Sequence, residues 1–508
     1  MNTKHRITRK SLIITAFLLL SWVALLADAA ERNTTTTVSQ VSRSVTVSTA
    51  IDYKVTSAAP FTTAGSVNIT NDRAVLILAS VKPSAVVSSW MAFIKVNGAA
   101  AVNGANCQVK MYAGGAIVLP YGDNVSPLTC YSEPGFTGEA CSSYSIGSDG
   151  GYMKTLGNGE LPNRIRSFKL RRGYMVTFAT GTAGWGYSRC FIADDVDLEL
   201  ATMPAVLDAK ISSYRIFKWN DAQKKGLAAN TDGTVAGALN ASWAYTWGVG
   251  SDMGPDVECV QHKIHKNWPG VGECGAPDFS PHMKTDNEPA NSVDDTPASV
   301  SEVLGYWQDA MRTGKRLCSP SSHDGGYAWQ QQFMDAIDRR GWRCDILDMH
   351  CYWPSGSFPS LQNYYNQFHR PIWISELLWG ASWNSNGIFG ETSDWDSNST
   401  NNQTLNYNGA KPVLDALNGY GYVERYAWWN SERVCSRVYH DGALTKLGSY
   451  YASMESGLGF SHSYEFVPVV VIANPYALRI TADGDHVSLT WKDGNGHDGR
   501  DTSAVPAA

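Results

Sequence analysis

Apolar and polar positions alternate along the first part of the chain, up to about residue 126. Residues 42–48 and 74–77 show a period of two within a stretch rich in Thr, Ser, Val and Ala. Such alternation is typical of strands with one buried face, and β-branched residues favour strands. Residues 30–126 are therefore predicted to form an antiparallel β-sandwich, an accessory domain in which no residue has a catalytic pattern.

A near-repeat occupies residues 127–218. The first copy has Phe136 and Gly138 at a predicted hairpin corner and ends near Ser167, while the second has Trp185 at its corner and ends near Ser213. Glycine permits the tight corner, and a serine hydroxyl can tie the hairpin down. The repeat resembles a βγ-crystallin domain, a double Greek key.

The crystallin resemblance raises the question of calcium, which that family often binds through paired Asn or Asp residues placed before two hydroxyl residues. Here Pro162 precedes Asn163, and Arg166 replaces a hydroxyl residue in the first copy. In the second copy Ala209 replaces an acceptor. We therefore expect a structural module and no cofactor, with a structural calcium ion as the alternative left open.

A different pattern begins at about residue 219. Short β-rich strings alternate with spacers, and two spacers, residues 300–312 and 328–340, have the apolar spacing of amphipathic helices. This alternation favours parallel strands joined by crossovers, and eight strands suit a (β/α)8 TIM barrel over residues 219–460. The eight strings span residues 225–230, 241–247, 257–264, 282–285, 315–320, 346–350, 371–375 and 425–429.

Both chain ends fall outside these three parts. Residues 1–29 have a basic start, an apolar run of 15 residues and a small-residue end, which is typical of a secretory signal peptide. Since a membrane span needs roughly 20 apolar residues, we expect cleavage, a secreted or periplasmic protein and no membrane contact afterwards. Residues 461–508 are predicted to be a β-rich, partly sandwich-like tail with a disordered end.

Composition narrows the classes of partner. The formal net charge is −6, and 17% of the residues are charged, which argues against nucleic acid as the main partner. Ten cysteines are scattered without a CxxC pair, so no metal site is expected, whereas export would permit disulfide bonds. Among local cysteine pairs, Cys259–Cys274 and Cys344–Cys351 are the first candidates. Of the 18 tryptophans, 14 lie within the predicted barrel.

Two predicted strand ends carry glutamates. Glu288 follows the fourth string within Asn287-Glu288-Pro289, and Glu376 follows the seventh. In a barrel of this kind, reactive side chains project from the C-terminal ends of the strands. Two carboxylates across one cavity, among aromatic side chains that stack on sugar rings, are what cleavage of a glycosidic bond requires.

Six motifs extend this pattern over about 230 residues and identify a family resemblance. Together they resemble glycoside hydrolase family 128, the Asl1-like catalytic domain. The resemblance implies a retaining endo-β-1,3-glucanase, with Glu288 as the acid/base and Glu376 as the nucleophile. The motifs are KGLAAN (225–230), SWAYTWG (242–248), NEP (287–289), CSP (318–320), HCYW (350–353) and PIWISE (371–376).

Further side chains are expected to contact the sugar or the nucleophile. Asn287 is placed to donate a hydrogen bond to the sugar 2-hydroxyl, with the capping of its own turn as the plainer alternative. His350 and Tyr352 face the same side of a strand, and we expect them to orient Glu376, unless they are ordinary core residues. We expect three tryptophans to stack on sugar rings, unless they are ordinary core residues: Trp247, Trp379 and Trp429.

Retention of configuration predicts a separation of roughly 5–5.5 Å between the two carboxyl groups, against about 6.5–9.5 Å for inversion. We expect the pKa of Glu288 to be raised, so that it is protonated at rest, and Glu376 to be ionised. The third string has His262 and Lys263 near its end, where the family is more apolar. We hypothesise that His262 or Lys263 reshapes a sugar subsite. Another polysaccharide, such as another β-glucan or an algal galactan, is therefore one alternative, and a non-catalytic carbohydrate-binding surface protein is the other.

Overall fold

The computed structural model describes residues 33–293, 296–379, 400–430 and 437–468, together with the backbone of 476–483, 486–492 and 498–504. The predicted signal peptide and Cys435 lie outside these ranges. Within them, no helix combines the length and the apolar character that a membrane crossing demands.

Residues 33–126 form two stacked sheets, and the chain passes from one to the other with almost every strand. β1, β3 and β5 pair in parallel in one sheet, which β9 and β8 complete. β2, β4 and β6 pair in parallel in the other, and β7 completes it. The strands are β1 (Thr34–Val38), β2 (Ser44–Val47), β3 (Ile51–Val55), β4 (Ser66–Ile69), β5 (Val75–Leu78), β6 (Ile94–Val96), β7 (Ala99–Ala100), β8 (Gln108–Tyr112) and β9 (Gly115–Leu119).

The predicted antiparallel pairing is wrong for the pairs among the first six strands, which are parallel, whereas β5–β9, β6–β7 and β8–β9 are antiparallel. Each strand in the opposite sheet acts as the crossover that parallel neighbours need, so every second strand runs in the same direction. Period-two alternation reveals a buried face, which is present here around Val55, Val67 and Leu76, but it carries no information on strand direction. A single helical turn, α1 (Pro83–Ala85), lies between β5 and β6.

Residues 127–218 form two antiparallel four-stranded sheets, and each sheet takes one strand from the other copy of the repeat. β16 of the second copy completes the sheet β11-β10-β13, and β12 of the first copy completes β17-β14-β15. The strands are β10 (Leu128–Glu133), β11 (Thr137–Cys141), β12 (Lys154–Thr155), β13 (Ser167–Leu170), β14 (Tyr174–Ala179), β15 (Ser188–Ala193), β16 (Leu198–Leu200) and β17 (Ser213–Lys218).

The two closing serines bind the hairpin corners as the repeat predicts. Ser167 Oγ donates to the carbonyl of Glu133 at 2.6 Å and accepts from the amide of Phe136 at 3.1 Å. Ser213 Oγ donates to the carbonyl of Gly181 at 2.7 Å and accepts from the amide of Gly184 at 2.9 Å. Each hydroxyl thus satisfies two backbone groups and fixes the folded corner.

Arg166, which stands where related domains have a hydroxyl residue, carries a cation into this corner. Its guanidinium binds Asp208 at 3.1 Å and Glu133 at 3.2 Å. The pKa of Arg166 is raised by its hydrogen bonds to Asp208 and by the neighbouring charges. The carboxylates of Asp208 and Glu133 are therefore paired with the positive charge of Arg166.

Residues 219–460 form an eight-stranded parallel barrel, and each of the eight predicted strings overlaps one of its strands. The neighbours run β22-β21-β20-β19-β18-β25-β24-β23, and parallel bridges Cys318–Ile346 and Ser322–Met349 close the circle between β22 and β23. The strands are β18 (Lys225–Ala228), β19 (Trp243–Tyr245), β20 (Glu258–Lys263), β21 (His282–Asn287), β22 (Arg316–Ser321), β23 (Leu347–Cys351), β24 (Ile372–Leu377) and β25 (Val423–Trp429).

Helices surround the barrel where the apolar spacing predicted them. The helix at Val300–Arg312 buries Val303, Trp307 and Met311 on one face, and Ser299 caps its first turn by accepting from the amide of Glu302 at 3.3 Å. The helices are α2 (Thr234–Ala238), α3 (Val271–Gly275), α4 (Val300–Arg312), α5 (Tyr327–Arg340), α6 (Leu361–Phe368), α7 (Thr400–Gly419) and α8 (Lys446–Ser453).

After the barrel the chain returns to strands. A short hairpin pairs β26 (Tyr439–His440) with β27 (Ala443–Leu444). In the C-terminal tail, β28 (Tyr476–Asp483), β29 (His486–Lys492) and β30 (Asp498–Ala504) form an antiparallel sheet.

The crystallin-like module covers the N-terminal end of the barrel. Arg215, fully buried, donates to the carbonyls of Thr313 and Gly275 at 2.7 Å each, and to that of Gly151 in its own module at 3.0 Å. The backbones touch so closely that a β-carbon on Gly275 would lie 2.2 Å from the carbonyl oxygen of Gly151. Because this end is closed, the C-terminal strand ends form the accessible end of the barrel.

The nine cysteines in the described ranges carry free thiols, and all nine are buried. The candidate bridges Cys259–Cys274 and Cys344–Cys351 are therefore not present. Closeness along the chain does not by itself bring two β-carbons to the separation of about 3.8 Å that a disulfide requires.

Candidate active site

Glu288 and Glu376 meet at the C-terminal end of the barrel. Glu288 follows β21 directly, and Glu376 lies near the end of β24. The two side chains are almost buried, with the residues 8% and 6% exposed. Their carboxylate oxygens and a ring nitrogen of His350 all lie within 4.8 Å of one another. The sequence predicted this meeting of two acids from strands on opposite sides of one barrel.

A strained turn directs Glu288 inward. Asp286 and Glu288 have φ angles of +23° and +41°, in a backbone region that residues other than glycine rarely adopt. The amide of Asn287 donates to the carbonyl of Ile264 at 2.6 Å, and the amide of Asn291 to that of Glu288 at 2.8 Å. Such strain, of order 1–3 kcal/mol per residue, persists where the surrounding structure enforces it and is common at functional sites.

Three hydrogen-bond donors and the His350 ring surround the carboxylate of Glu376. The Tyr245 hydroxyl and the Trp247 indole N–H each donate to Oε1 at 3.1 Å. The Tyr352 hydroxyl donates to Oε2, and His350 Nδ1 lies 3.4 Å from the same oxygen. Contacts of both oxygens with fixed donors leave the carboxylate a single orientation.

Two of these contacts go beyond the sequence analysis. Tyr245 was missed there, although it lies two residues before Trp247 and therefore on the same side of the strand. Trp247 was expected to be a sugar platform, but its N–H is committed to Glu376. His350 and Tyr352 contact Glu376, the residue that they were expected to orient.

His350 joins the two glutamates. Its Nδ1 lies 2.5 Å from Glu288 Oε1, and its ring is buried. Burial lowers the pKa of His350, but the charges of Glu376 and Glu288 outweigh burial, and the pKa is raised above its usual value. The imidazole is therefore held as a cation between two carboxylates.

The expectation of a raised pKa for Glu288 is wrong for the ligand-free protein. Burial does raise its pKa, but the charge of His350 and the hydrogen bonds from His350 and Asn291 lower it to about 2. Asn291 Nδ2 donates to Glu288 Oε2 at 2.8 Å. Burial could be anticipated from the position of Glu288 at a strand end of the barrel, whereas a cation brought from β23 could not.

Glu288, His350 and Glu376 could in principle hold a metal ion, and within the described ranges this is the one place where three potential metal-ligand atoms converge. A tetrahedral ion with bonds near 2.0 Å holds its ligand atoms roughly 3.3 Å apart. His350 Nδ1 and Glu288 Oε1 are closer than that, at 2.5 Å. The spacing is that of a hydrogen-bonded pair.

Comparison with known proteins bears on this geometry. Residues 219–451 match the family model described as "Glycosyl hydrolase catalytic core". These residues are therefore similar to the catalytic core of glycoside hydrolases. The predicted resemblance to glycoside hydrolase family 128 and the assignment as a glycoside hydrolase are thereby confirmed.

Three relatives illustrate the likeness. "Alkali-sensitive linkage protein 1" of Schizosaccharomyces pombe is 24% identical over 265 residues, which cover 48% of this chain and 45% of that protein. The chain thus spans less than half the length of this relative. A GH128 (subgroup I) endo-beta-1,3-glucanase from Amycolatopsis mediterranei, solved with laminaritriose, is 27% identical with a TM-score of 0.39, covering 46% of this chain and 99% of its own. A betagamma-crystallin domain from Flavobacterium johnsoniae is 20% identical with a TM-score of 0.15, covering 18% and 94%.

Two further predicted sugar contacts border the site of Glu288 and Glu376. Trp429 is half-buried, and its ring meets that of Tyr352 edge-on with centroids 5.6 Å apart. Asn287 lies directly beside Glu288 and is buried. Both residues are therefore within the walls of the site.

Trp379 has a different environment. It is 8% exposed, and it packs so closely on α7 that a β-carbon on Gly409 would lie 2.0 Å from its ring. A covered ring does not fit the predicted role as a sugar platform. The end of β24 places the side chain against a helix, which the motif alone did not reveal.

The polar end of the third strand is buried. His262 is fully buried and meets the ring of Tyr245 edge-on at 5.4 Å. Lys263 is buried, donates to the carbonyl of His265 at 2.7 Å and lies over the ring of Tyr306. Both side chains are covered, and their influence on a sugar subsite stays a prediction.

Beneath the site, a buried ion pair supports the residues that hold Glu376. Lys284 Nζ lies 2.6 Å from Asp348 Oδ2, donates to Ser375 Oγ, and sits 4.5 Å from the centre of the Tyr245 ring. Ser375 directly precedes Glu376, so this lysine connects the backbone of β24 with the tyrosine that binds the carboxylate.

Proposed function

We propose that this protein is an exported endo-β-1,3-glucanase that acts by double displacement, with Glu288 as acid/base and Glu376 as nucleophile. The observation that carries the proposal is the convergence of both carboxylates and His350 within 4.8 Å. That separation supports retention, for which carboxyl groups lie roughly 5–5.5 Å apart, over inversion at about 6.5–9.5 Å. The resemblance of the six motifs to glycoside hydrolase family 128 supports the β-1,3 linkage.

In the first step, a Glu376 oxygen attacks the anomeric carbon while the glycosidic oxygen departs with a proton from Glu288. The resting proton lies on His350, which hydrogen-bonds Glu288 Oε1 at 2.5 Å. The bound substrate covers the carboxylates and reduces their contact with water, which disfavours the charged form of Glu288. The proton therefore passes from Nδ1 to Glu288 and then to the leaving oxygen. Tyr245 and Trp247 keep Glu376 aimed at the carbon.

In the second step, Glu288 is a carboxylate and accepts a proton from water, whose oxygen attacks the same carbon. The ester bond to Glu376 breaks, and the product keeps its original anomeric configuration. His350 then takes up the proton from Glu288, which restores the resting state. Asn287 serves the sugar 2-hydroxyl in both steps, and Trp429 offers an aromatic face to the ring.

Digestion of a substrate panel tests this function. Laminarin, curdlan, mixed-linkage glucan and agarose are incubated with the protein, product sizes are measured, and the anomer formed first is followed by NMR. We expect β-1,3-oligosaccharides of several lengths with the β-anomer first. Cleavage of another polymer of the panel would change the substrate, an α-anomer would contradict the mechanism, and binding without new reducing ends would indicate a binding protein.

A further inference from the structure

Two cysteines of the crystallin-like module lie directly opposite each other on neighbouring strands. Cys130 of β10 and Cys141 of β11 are partners in the antiparallel register. Side chains of such partners point to the same face of the sheet, and both cysteines belong to the buried core of this module. Among the paired strands that the structure describes, this is the one register pair made of two cysteines.

The thiols of the two residues converge as well as their backbones. The hydroxyl of Tyr144 contacts the thiols of both Cys130 and Cys141. The same hydroxyl donates to the carbonyl of Glu160 at 2.8 Å, which fixes its position. Two sulfur atoms that share one fixed polar neighbour lie on the same side of the hairpin, within reach of each other.

The strand spacing suits a bond between the sulfur atoms. Directly opposite residues of an antiparallel pair have α-carbons about 4.5–5.5 Å apart, inside the range of about 4.4–6.8 Å for a disulfide. Their β-carbons are about 4.5–5.5 Å apart, so an approach of about 1 Å brings them to the disulfide range of about 3.5–4.5 Å. β11 lies at the edge of its sheet, and its first four residues are exposed. Little packing therefore resists this movement.

The two thiols differ in their access to solvent. Cys141, at the end of β11, is 7% exposed, whereas Cys130 is fully buried. Burial raises the pKa of the Cys130 thiol, and the thiolate is the nucleophile in disulfide exchange. Cys141 is therefore the residue that an oxidant from solution meets first, and Cys130 is placed to react in a second step.

We propose that Cys130 and Cys141 are an oxidisable pair, which forms a cross-strand disulfide when the folded chain meets a disulfide oxidant and thereby fastens the β10–β11 hairpin. Ser167 already holds the corner of this hairpin through the amide of Phe136, so the bond would hold its open end. The pair lies outside the barrel, and the inference does not depend on the proposed activity. Export would bring the chain into a compartment where such bonds persist.

The oxidation is a thiol–disulfide exchange in two steps. The Cys141 thiolate attacks one sulfur of the oxidant, and the first half of the oxidant leaves as a thiol. Cys130 then loses its proton to solvent and attacks the Cys141 sulfur, which releases the second half as a thiol. Two electrons pass from the cysteines to the oxidant, and the two protons lost by the cysteines are matched by those on the two released thiols.

Peptide mapping of the folded full-length protein tests this proposal. The protein is incubated with oxidised glutathione, denatured with iodoacetamide to block remaining thiols, and digested with trypsin and a glutamate-specific protease. Trypsin leaves both cysteines in one peptide, and cleavage after Glu139 divides it into residues 111–139 with Cys130 and residues 140–154 with Cys141. We expect these two peptides to be linked, at about 2 Da below the sum of their free masses, and to separate on reduction.

Thermal unfolding shows whether the bond fastens the hairpin. The oxidised wild type should unfold about 4–8 °C above the reduced wild type. Cys141→Ala should abolish this difference, whereas Cys107→Ala removes a thiol from the core of the sandwich and should leave it in place. If a variant does not fold, the comparison of oxidised with reduced wild type decides alone.

Several results would overturn the proposal. Alkylation of both Cys130 and Cys141 after oxidation would show that the sulfur atoms do not reach each other. Glutathione retained on Cys141 beside an alkylated Cys130 would show the same, and a bond from either residue to a third cysteine would replace the pair. Equal unfolding temperatures of the linked and the reduced wild type would show that the bond does not fasten the hairpin.

Discussion

His350 Nδ1 lies 2.5 Å from Glu288 Oε1, a contact between β23 and the turn after β21, two strands that are not neighbours in the barrel. The same nitrogen lies 3.4 Å from Glu376 Oε2. One imidazole therefore sits between the two acids and offsets the repulsion of their charges. This arrangement makes the resting proton of the site a property of three residues rather than of Glu288.

Replacement of either glutamate by glutamine should abolish polysaccharide cleavage without unfolding the protein. General acid–base catalysis contributes about 10²–10⁴-fold, and we expect a loss of at least that size in Glu288→Gln. Glu376→Gln should lose all measurable activity because no covalent ester can form. Reducing-end assays on laminarin provide the measurement, with circular dichroism to verify folding.

The two acids should differ when the leaving group changes. Glu288→Gln should release about one equivalent of fluoride per enzyme from β-laminaribiosyl fluoride, because fluoride leaves without a proton, and should then slow because no base activates the water that attacks the ester. Azide should rescue Glu376→Gly and give a glycosyl azide of inverted configuration. Full laminarin activity in either glutamine variant would end the assignment.

Loss of the His350 charge should alter stability in a defined pH range. The pKa of Glu288 falls to about 2 in the folded protein, so its stabilisation is present above its usual value near 4.5 and is lost as pH falls toward 2. The raised pKa of His350 gives stabilisation that is present below about 6.5 and is lost as pH rises through the folded value. The stabilisation from Glu288 and that from His350 are therefore both fully present between about pH 4.5 and 6.5.

We therefore expect His350→Gln to destabilise the protein most within that window, by about 3 kcal/mol, the lower end for breaking a buried ion pair. Urea unfolding of both proteins from pH 3 to pH 9 provides the measurement. His369→Gln is the matched control, since His369 is an exposed histidine and its loss should leave stability nearly unchanged. A difference between His350→Gln and wild type that does not vary with pH would contradict the charge argument.

Tyr245→Phe should lower kcat about 10- to 100-fold with little change in KM. The hydroxyl donates to Glu376 Oε1 at 3.1 Å, and a hydrogen bond to a charged group contributes about 1.5–3 kcal/mol. Steady-state kinetics on laminarin test the split between kcat and KM. Tyr426→Phe removes a hydroxyl that binds Asn418, outside the site, and should leave kcat unchanged.

Arg215→Met should destabilise the barrel together with the crystallin-like module, by about 3 kcal/mol or more. The variant leaves the carbonyls of Thr313, Gly275 and Gly151 without their charged donor, and each such bond contributes about 1.5–3 kcal/mol. Thermal and urea unfolding provide the measurement. Arg164→Met breaks an exposed pair with Glu139 and should cost less than about 1 kcal/mol. Equal effects of the two substitutions would show that the module does not support the barrel.

Much of the barrel could be predicted from the sequence because its signals are local. Buried parallel strands are short apolar strings, and each predicted string overlaps a strand of the closed sheet. Glu288 and Glu376 follow such strings directly, so a barrel necessarily places them at one end. The closing serines Ser167 and Ser213 were likewise visible as a repeat along the chain.

Contacts between distant strands could not be predicted in this way. Period-two alternation in β1 to β6 set which faces are buried, but the parallel pairing depends on strands of the opposite sheet. Burial of Trp379 depends on Gly409 in a later helix. The lowered pKa of Glu288 depends on His350, 62 residues further along the chain.

The order of residues by itself determined the three-part organisation, the eight barrel strands and the positions of the two acids, because periodicity and strand-end motifs act over a few neighbouring residues. Only the tertiary structure decided which cation lies between the acids, which tryptophans are covered and which end of the barrel is closed. Those features arise from side chains far apart in sequence, and their energies depend on distance and burial, which no local pattern contains.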